Sequence, residues 1–313
     1  MKWNNWHLIL ILFVIITSCH RSKNTIPESM LSGEVVIAAD EALMPLMKAE
    51  LAVFQVFYKY STVDCKFLSE YDAINLLLQE KTRLAIVARP LNQKENDFLK
   101  SKQIFPESIP LAYDAVALIV QQGNQPISIN IGQIAKIMSG SITNWNQLNV
   151  EGKSGPIQLV FDAEASGVTR YMNEKLSLNN KISGDIKFAG DSRKVIEMVT
   201  ASPNAIGFIG FNWLSEFENM QVQETLTKVS FVAVSATVST VSQPTSYLPS
   251  VSSIYNNTYP LIRKVYAIYT DPSASLAKGF LAHLTSERGQ KIIYRCGLKP
   301  ENDFQRLISI KKE

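Results

Sequence analysis

An α/β fold divided into two lobes is what this sequence predicts, and three observations carry that expectation. Short apolar runs alternate with helical periodicities between residues 34 and 102. The apolar run 109–121 (IPLAYDAVALIVQ) is long for one strand and suits a crossing between two lobes. A late strand-like run, 261–270 (LIRKVYAIYT), follows a second set of strands and helices and supplies the return. A chain of 313 residues is long enough for about two domains.

Each element has its own warrant. Residues 34–39 (EVVIAA), 63–68 and 84–88 (LAIVA) read as strands, the first and third continuously apolar and therefore covered on both faces. Helices are expected over 43–58, where Leu46, Met47, Leu51, Phe54 and Phe57 recur at helical spacing, over 71–79 with Ile74, Leu77 and Leu78 inward, and over the polar stretch 92–102. Beyond the crossing strand, 131–138, 168–176 and 195–200 read as helices, and 157–161 and 229–234 as strands. The segment 205–211 (AIGFIGF) reads as a Gly-interrupted strand or a turn, and 235–255 as an ordered extended loop rich in Ser, Thr and Val. Two closing helices are expected over 275–284 and 290–295. Strands that alternate with helices form a parallel sheet, and ligands of such sheets sit at the carboxyl ends of the strands. Here those ends are Asp40-Glu41, Ser69-Glu70 and Ala88-Arg89.

The amino terminus lies outside the expected fold. Lys2 precedes an apolar run, 8–16, that is too short to span a bilayer and has the length of a signal-peptide core. It ends at Thr17-Ser18-Cys19, small residues before a Cys in the manner of a bacterial lipobox. On that reading residues 1–18 are removed, Cys19 carries the lipid, and 19–32 form a polar tether; a plain signal peptide cut nearby is the alternative. The other two cysteines, Cys65 and Cys296, are either a pair in an oxidising envelope or two buried thiols.

Net charge is +3 with acids and bases interspersed, which gives nucleic-acid binding no support. The segment 162–170 (DAEASGVTR) stands out: an apolar strand, a short polar loop, then a helix start. The first turn of a helix presents unpaired N–H groups at the positive end of its dipole. Gly167 lets a ligand approach the backbone, Ser166 and Thr169 add hydroxyls, and Arg170 adds a full charge. Ser166 acting only as a helix cap is the plainer alternative.

Four segments, in order, carry a family resemblance: 111–124 (LAYDAVALIVQQGN), 131–148 (IGQIAKIMSGSITNWNQL), 201–210 (ASPNAIGFIG) and 259–300, which begins YPLIRKVYAIYT and includes GFLAHLTSERGQKIIYRCGLKP. The chain resembles the substrate-binding proteins of phosphate ABC transporters, within the type II periplasmic binding protein superfamily. That resemblance implies mixed sheets flanked by helices in two lobes, 33–115 with 258–313 and 116–257, and a ligand cleft between them. It implies inorganic phosphate or a related oxyanion as ligand, an ABC transporter permease as partner, no cofactor or metal, a monomer, and an extracytoplasmic protein anchored through Cys19. Matched position by position, the family's Ser-Gly-Thr element falls on Ser166, Gly167 and Val168, with Thr169 in place of the displaced hydroxyl. The strand-end loops fall on Asp40, Glu41 and Ala42, on Ser69 and Glu70, and on Ala88 and Arg89. Three positions depart from the pattern: Asp162 stands where an Arg is common, Val168 where a hydroxyl is expected, and Ala88 where a carboxylate accepts a proton from phosphate. Asp40, Glu41, Asp162 and Glu164 would repel an anion unless they point outward or pair with Arg89, Arg170 or Arg193.

An enzyme has little support. Of three His, His7 and His20 lie in the leader region and only His283 falls in the fold. No nucleophile–His arrangement, phosphate-binding loop or metal-ligand spacing is present. The expected function is capture of phosphate or a similar oxyanion for a transporter. The alternative is an anchored sensor or structural protein on the same scaffold with an altered or lost anion site.

Overall fold

The computed structural model describes residues 27–123, 127–148, 150, 153–178, 182–216, 219–236 and 245–302. The predicted leader 1–18 and Cys19 lie outside them. The chain opens with β1 (Gly33–Asp40), α1 (Met44–Phe57), β2 (Ser61–Leu68), α2 (Glu70–Leu78), β3 (Leu84–Val87) and α3 (Gln93–Ser101). β1 lies parallel to both β2 and β3, as helical crossovers require. The helix starts are written in the sequence: Ser69 accepts the Asp72 N–H at 3.1 Å, and Asn92 and Glu95 form a reciprocal capping box.

β4 (Glu107–Gln121) is 15 residues long. It leads into β5 (Ser128–Asn130), α4 (Ile131–Met138), β6 (Gln158–Phe161), α5 (Gly167–Lys175), β7 (Ile186–Phe188), α6 (Ser192–Ala201), β8 (Ala205–Gly210), α7 (Met220–Leu226), β9 (Val229–Phe231), β10 (Ala233–Ser235) and α8 (Val251–Tyr255). β11 (Ile262–Tyr269), α9 (Leu276–Thr285), α10 (Glu287–Arg295) and β12 (Lys299–Pro300) then return to the first group. The strand order is β2-β1-β3-β11-β4-β8-β6-β7. β4 belongs to both groups: residues 107–115 pair antiparallel with β11, and from Val116 onward it pairs with β8 and β9. The return passes the same point, where the Val116 N–H donates to the Leu261 carbonyl at 2.8 Å.

Each strand group has its own apolar core. One gathers Trp145, Leu159, Phe161, Phe208 and Phe211, with Phe161 and Phe208 stacked at 4.4 Å. On the other side, one cluster holds Ile37, Leu46, Phe54 and Phe280, and a second holds Ala38, Ile74, Leu77 and Val87. The stretch 205–211, open between strand and turn in the sequence, is a fully buried strand through Gly210. Its glycine at 207 belongs to that packing, because a Cβ on Gly207 would press on Val199, Ile119 and Val195. In place of one extended loop over 235–255 there are a bridge between Val234 and Tyr247 and the short α8, with 237–244 outside the described residues. Cys65 and Cys296 are both free thiols, and burial pushes Cys65 up to about 12.

The last residues of the expected tether, 27–32, are packed. Glu28 pairs with Arg83 at 2.9 Å and accepts the Leu276 N–H at 3.2 Å. Met30 lies across α9, where a Cβ on Gly279 would fall 1.7 Å from its carbonyl oxygen. Backbone cannot yield as a side-chain tip does, so Gly279→Ala is expected to lift this segment and cost about 1–3 kcal/mol. Thermal denaturation and limited proteolysis test this; an unchanged melt with residues 27–32 still protected would refute it.

Candidate functional site

The carboxyl ends of β1, β2 and β3 meet those of β6 and β8 where β4 and β11 pass between the two strand groups. β1 ends on Asp40, which caps a 3-10 turn over Glu41–Leu43 and is fully buried. Opposite it stands the start of α5. Ser166 caps that helix by accepting the Thr169 N–H at 3.1 Å, and its own Oγ donates to Asp162 Oδ1 at 2.5 Å. A Cβ on Gly167 would fall 2.2 Å from Asp40 Oδ2 and 2.8 Å from Glu70 Oε2, so only glycine allows this approach.

Arg263 lies at the centre. On β11 it directly faces Asp114 of β4, and its Nε and Nη2 donate to Asp114 Oδ2 at 3.1 and 2.9 Å. Its Nη1 is 3.7 Å from Asp40 Oδ2 and makes no hydrogen bond. Four carboxylates are buried here (Asp40, Glu70, Asp114 and Asp162) against Arg263 as the fully buried cation. Burial raises Asp40 well above the ordinary carboxylate range; Arg263 opposes the shift, and Glu70 and Asp162 add to it. Burial likewise raises Asp114 against Arg263, and Asp162 against its bond from Ser166. Asp162 Oδ2 has no partner.

Direct bonds join the two strand groups around this centre. Arg170 donates through Nε and Nη2 to Glu70 and through Nη2 to the Ala88 carbonyl at 3.1 Å. Glu41 accepts from Ser192 Oγ at 2.7 Å, and burial pushes its carboxyl up to about 7. Asn212 Nδ2 donates to the Ala42 carbonyl at 2.8 Å, and the Tyr71 N–H reaches the Ala165 carbonyl at 3.3 Å.

Asp40, Glu41, Ala42, Gly167 and Arg170 are therefore brought together, with Ser166 beside them. Ser69 lies one residue from the centre, but its hydroxyl donates to Asp72 at 2.7 Å. Val168 is part of the apolar core, and the Thr169 hydroxyl donates to the Ala163 carbonyl at 2.7 Å, so neither side chain faces the other strand group. Arg89 is held by both oxygens of Glu95 at 2.7 and 2.8 Å, and lies 3.6 Å from Glu70. Glu164 is exposed, one of the two expected outcomes, but the other three acids neither point outward nor pair with Arg89, Arg170 or Arg193: Asp40 has Arg263 for its cation, Glu41 has Ser192 and Asp162 has Ser166. Arg193 lines a groove of about 900 Å³ between α1, α6 and α7, to one side of the centre. From the sequence alone Arg263 ranks behind Arg89 and Arg170 as a ligand contact, with a solvated or salt-bridged residue as the plainer reading, yet it is the residue that holds the centre. Its signal is present, because Leu261, Arg263, Val265 and Ala267 share one strand face and the lone Arg interrupts an apolar row. Among the described residues no group of three or more His, Cys, Asp or Glu is placed to hold a metal ion, and no helix is long and apolar enough to cross a membrane.

Comparison with known proteins agrees with this architecture. A family described as a PBP superfamily domain matches residues 24–288. The chain is 27% identical to Protein SphX of Synechococcus elongatus over 62% of its own length and 55% of that protein. It is 24% identical to the phosphate-binding protein PstS of Borreliella burgdorferi, over 93% of this chain and 97% of the relative. A Clostridium perfringens protein solved with bound phosphate superposes with a TM-score of 0.71 at 22% identity, covering 86% of this chain and all of that one, which speaks to the fold alone.

Proposed function

The chain belongs to the PBP superfamily, and from that premise we propose that it is an extracytoplasmic binding protein for phosphate or a closely related tetrahedral oxyanion. The observation that carries this reading is the meeting of the α5 start, Arg170 and Arg263 with the ends of β1 and β3. The lobes are residues 33–115 with 258–313 and residues 116–257, and the anion sits between them. The Gly167 and Val168 amides, free as in any first helical turn, would donate to it together with Arg170, Arg263 and the strand-end amides. No bond is made or broken; hinge motion about the two crossing strands captures and releases the ligand. Residues 1–18 are a leader, Cys19 is the lipid-bearing terminus of the mature protein, and an ABC transporter permease receives the anion from a monomer.

A second reading, an anchored sensor or structural protein with an altered anion site, has one observation in its favour: both Arg89 and Arg170 are already held by carboxylates of the chain. Calorimetry with phosphate and sulfate on the mature protein decides between the two. Binding is expected, with Arg170→Ala weakening it at least about tenfold, the loss of a charged hydrogen bond. Absence of binding by any tetrahedral oxyanion at millimolar concentration favours the second reading.

A further inference from the structure

The donors assembled between the two strand groups converge on a carboxylate of the chain itself. Glu70 is 2% exposed. Its Oε2 accepts the Ala88 N–H at the end of β3 at 2.9 Å, and also accepts from Arg170 Nη2 at 3.2 Å. Its Oε1 accepts from Arg170 Nε and stands 3.6 Å from Arg89 Nε. A Cβ on Gly167 would fall 2.8 Å from Oε2, which puts the carboxylate against the first turn of α5. A strand-end amide, the Arg170 guanidinium from the opposite lobe and a helix start are among the donors proposed above for an oxyanion between the lobes, with Arg89, itself held by Glu95, standing near. Asp40 stands beside Glu70, its Oδ2 2.2 Å from the same Gly167 Cβ position.

We propose that Glu70 is a tethered internal anion: its carboxylate occupies the oxyanion position, straps the lobes together through Arg170, and must be displaced by the ligand. This rests on the oxyanion-binding reading above and adds a selectivity rule. A tethered carboxylate competes at a high effective concentration, so a free monocarboxylate offers nothing it lacks. A tetrahedral dianion brings more charge and more acceptor oxygens to the same donors and displaces it. Glu70 thus excludes small carboxylates and sets the threshold for phosphate.

The test uses the mature chain, Glu70→Ala and the isosteric Glu70→Gln, with small-angle scattering and calorimetry. Without added anion the wild type is expected to be compact and Glu70→Ala expanded. Acetate is expected to compact Glu70→Ala and leave the wild type unchanged. Phosphate is expected to bind Glu70→Ala at least about tenfold more tightly than wild type, the competitor having been removed. Glu70→Gln, which keeps the shape without the charge, falls between the two. If Glu70→Ala stays compact, ignores acetate and binds phosphate no more tightly than wild type, the internal-anion role is wrong. If it expands and answers acetate but no form binds any tetrahedral oxyanion, the strap stands and the oxyanion-binding reading fails.

Discussion

Arg263→Ala is expected to destabilise the protein by about 3–5 kcal/mol at pH 8, the cost of leaving buried charges without their partner. For a chain of this size that is a drop of roughly 10 °C in Tm. Asp40 and Asp114 are both fully buried, and Arg263 faces the two of them. With the guanidinium gone, each carboxylate must protonate or draw in water. Because burial already raises both groups, protonation is the easier course, and the loss is expected to be smaller at pH 5 than at pH 8. Arg263→Lys keeps the charge but lacks the fork that spans Nε and Nη2 to Asp114 and Nη1 toward Asp40, so it recovers only part of the loss. Adding Asp114→Asn to Arg263→Ala removes one stranded charge and is expected to restore stability relative to the single variant. A melt of Arg263→Ala within about 1 kcal/mol of wild type at both pH values would mean that the pairs contribute little.

The placement of Arg263 shows where sequence reading reaches and where it stops. The run 109–121 is long enough to announce a crossing strand, and the chain does change partners within it, between Ala115 and Val116. Apolar periodicity also marks β1, β3, α1 and α2, since burial on one or both faces leaves its period in the sequence. The short elements leave no such mark. β5 and β7 have three residues each, and α7 buries none of its side chains, so tertiary contacts rather than local pattern set them.

The site is legible in the sequence as a set of loops but not as a set of pairs. Strand ends and the Ser166-Gly167 turn mark Asp40, Glu70 and α5 correctly as neighbours of one centre. Which acid faces which base depends on the relative placement of two strand groups far apart in sequence. Arg170 lies 100 positions from Glu70, and Arg263 lies 149 from Asp114. No periodicity encodes such distances. The departures from the family pattern also become intelligible together. With Ala88 in place of a carboxylate, the end of β3 offers its amide, and Glu70 takes it. With Asp162 in place of an arginine, Ser166 and the Ala163 N–H occupy its Oδ1, while Oδ2 keeps no partner.

The buried acids also fix how stability depends on pH. Glu41 and Glu50 are each pushed up to about 7 by burial, Glu41 against its bonds from Ser192 and Glu50 against His283, whose Nε2 lies 3.0 Å away. Asp40, Asp114 and Asp162 shift in the same direction. A carboxyl whose pKa is higher folded than unfolded binds its proton more tightly in the folded chain. Between the unfolded value near 4.5 and the folded value near 7, the folded state therefore holds more protons, and stability falls as pH rises. Each of the two glutamates accounts for about 3 kcal/mol across that window, because a tenfold change in proton affinity is worth roughly 1.4 kcal/mol. Asp271 and Glu95 act in the opposite sense, since hydrogen bonds and cations lower them and their contribution is lost only as pH falls below the ordinary carboxylate range. Stability is thus expected to peak near pH 5 and to decline toward pH 8, measured by chemical denaturation across that range. Glu50→Gln keeps an acceptor oxygen for His283 and removes one of the titrating groups, so its profile is expected to be flatter and its stability at pH 8 higher than that of wild type. A wild-type profile that rises from pH 5 to pH 8 would show that these carboxyls gain enough water on ionisation to escape the cost of burial.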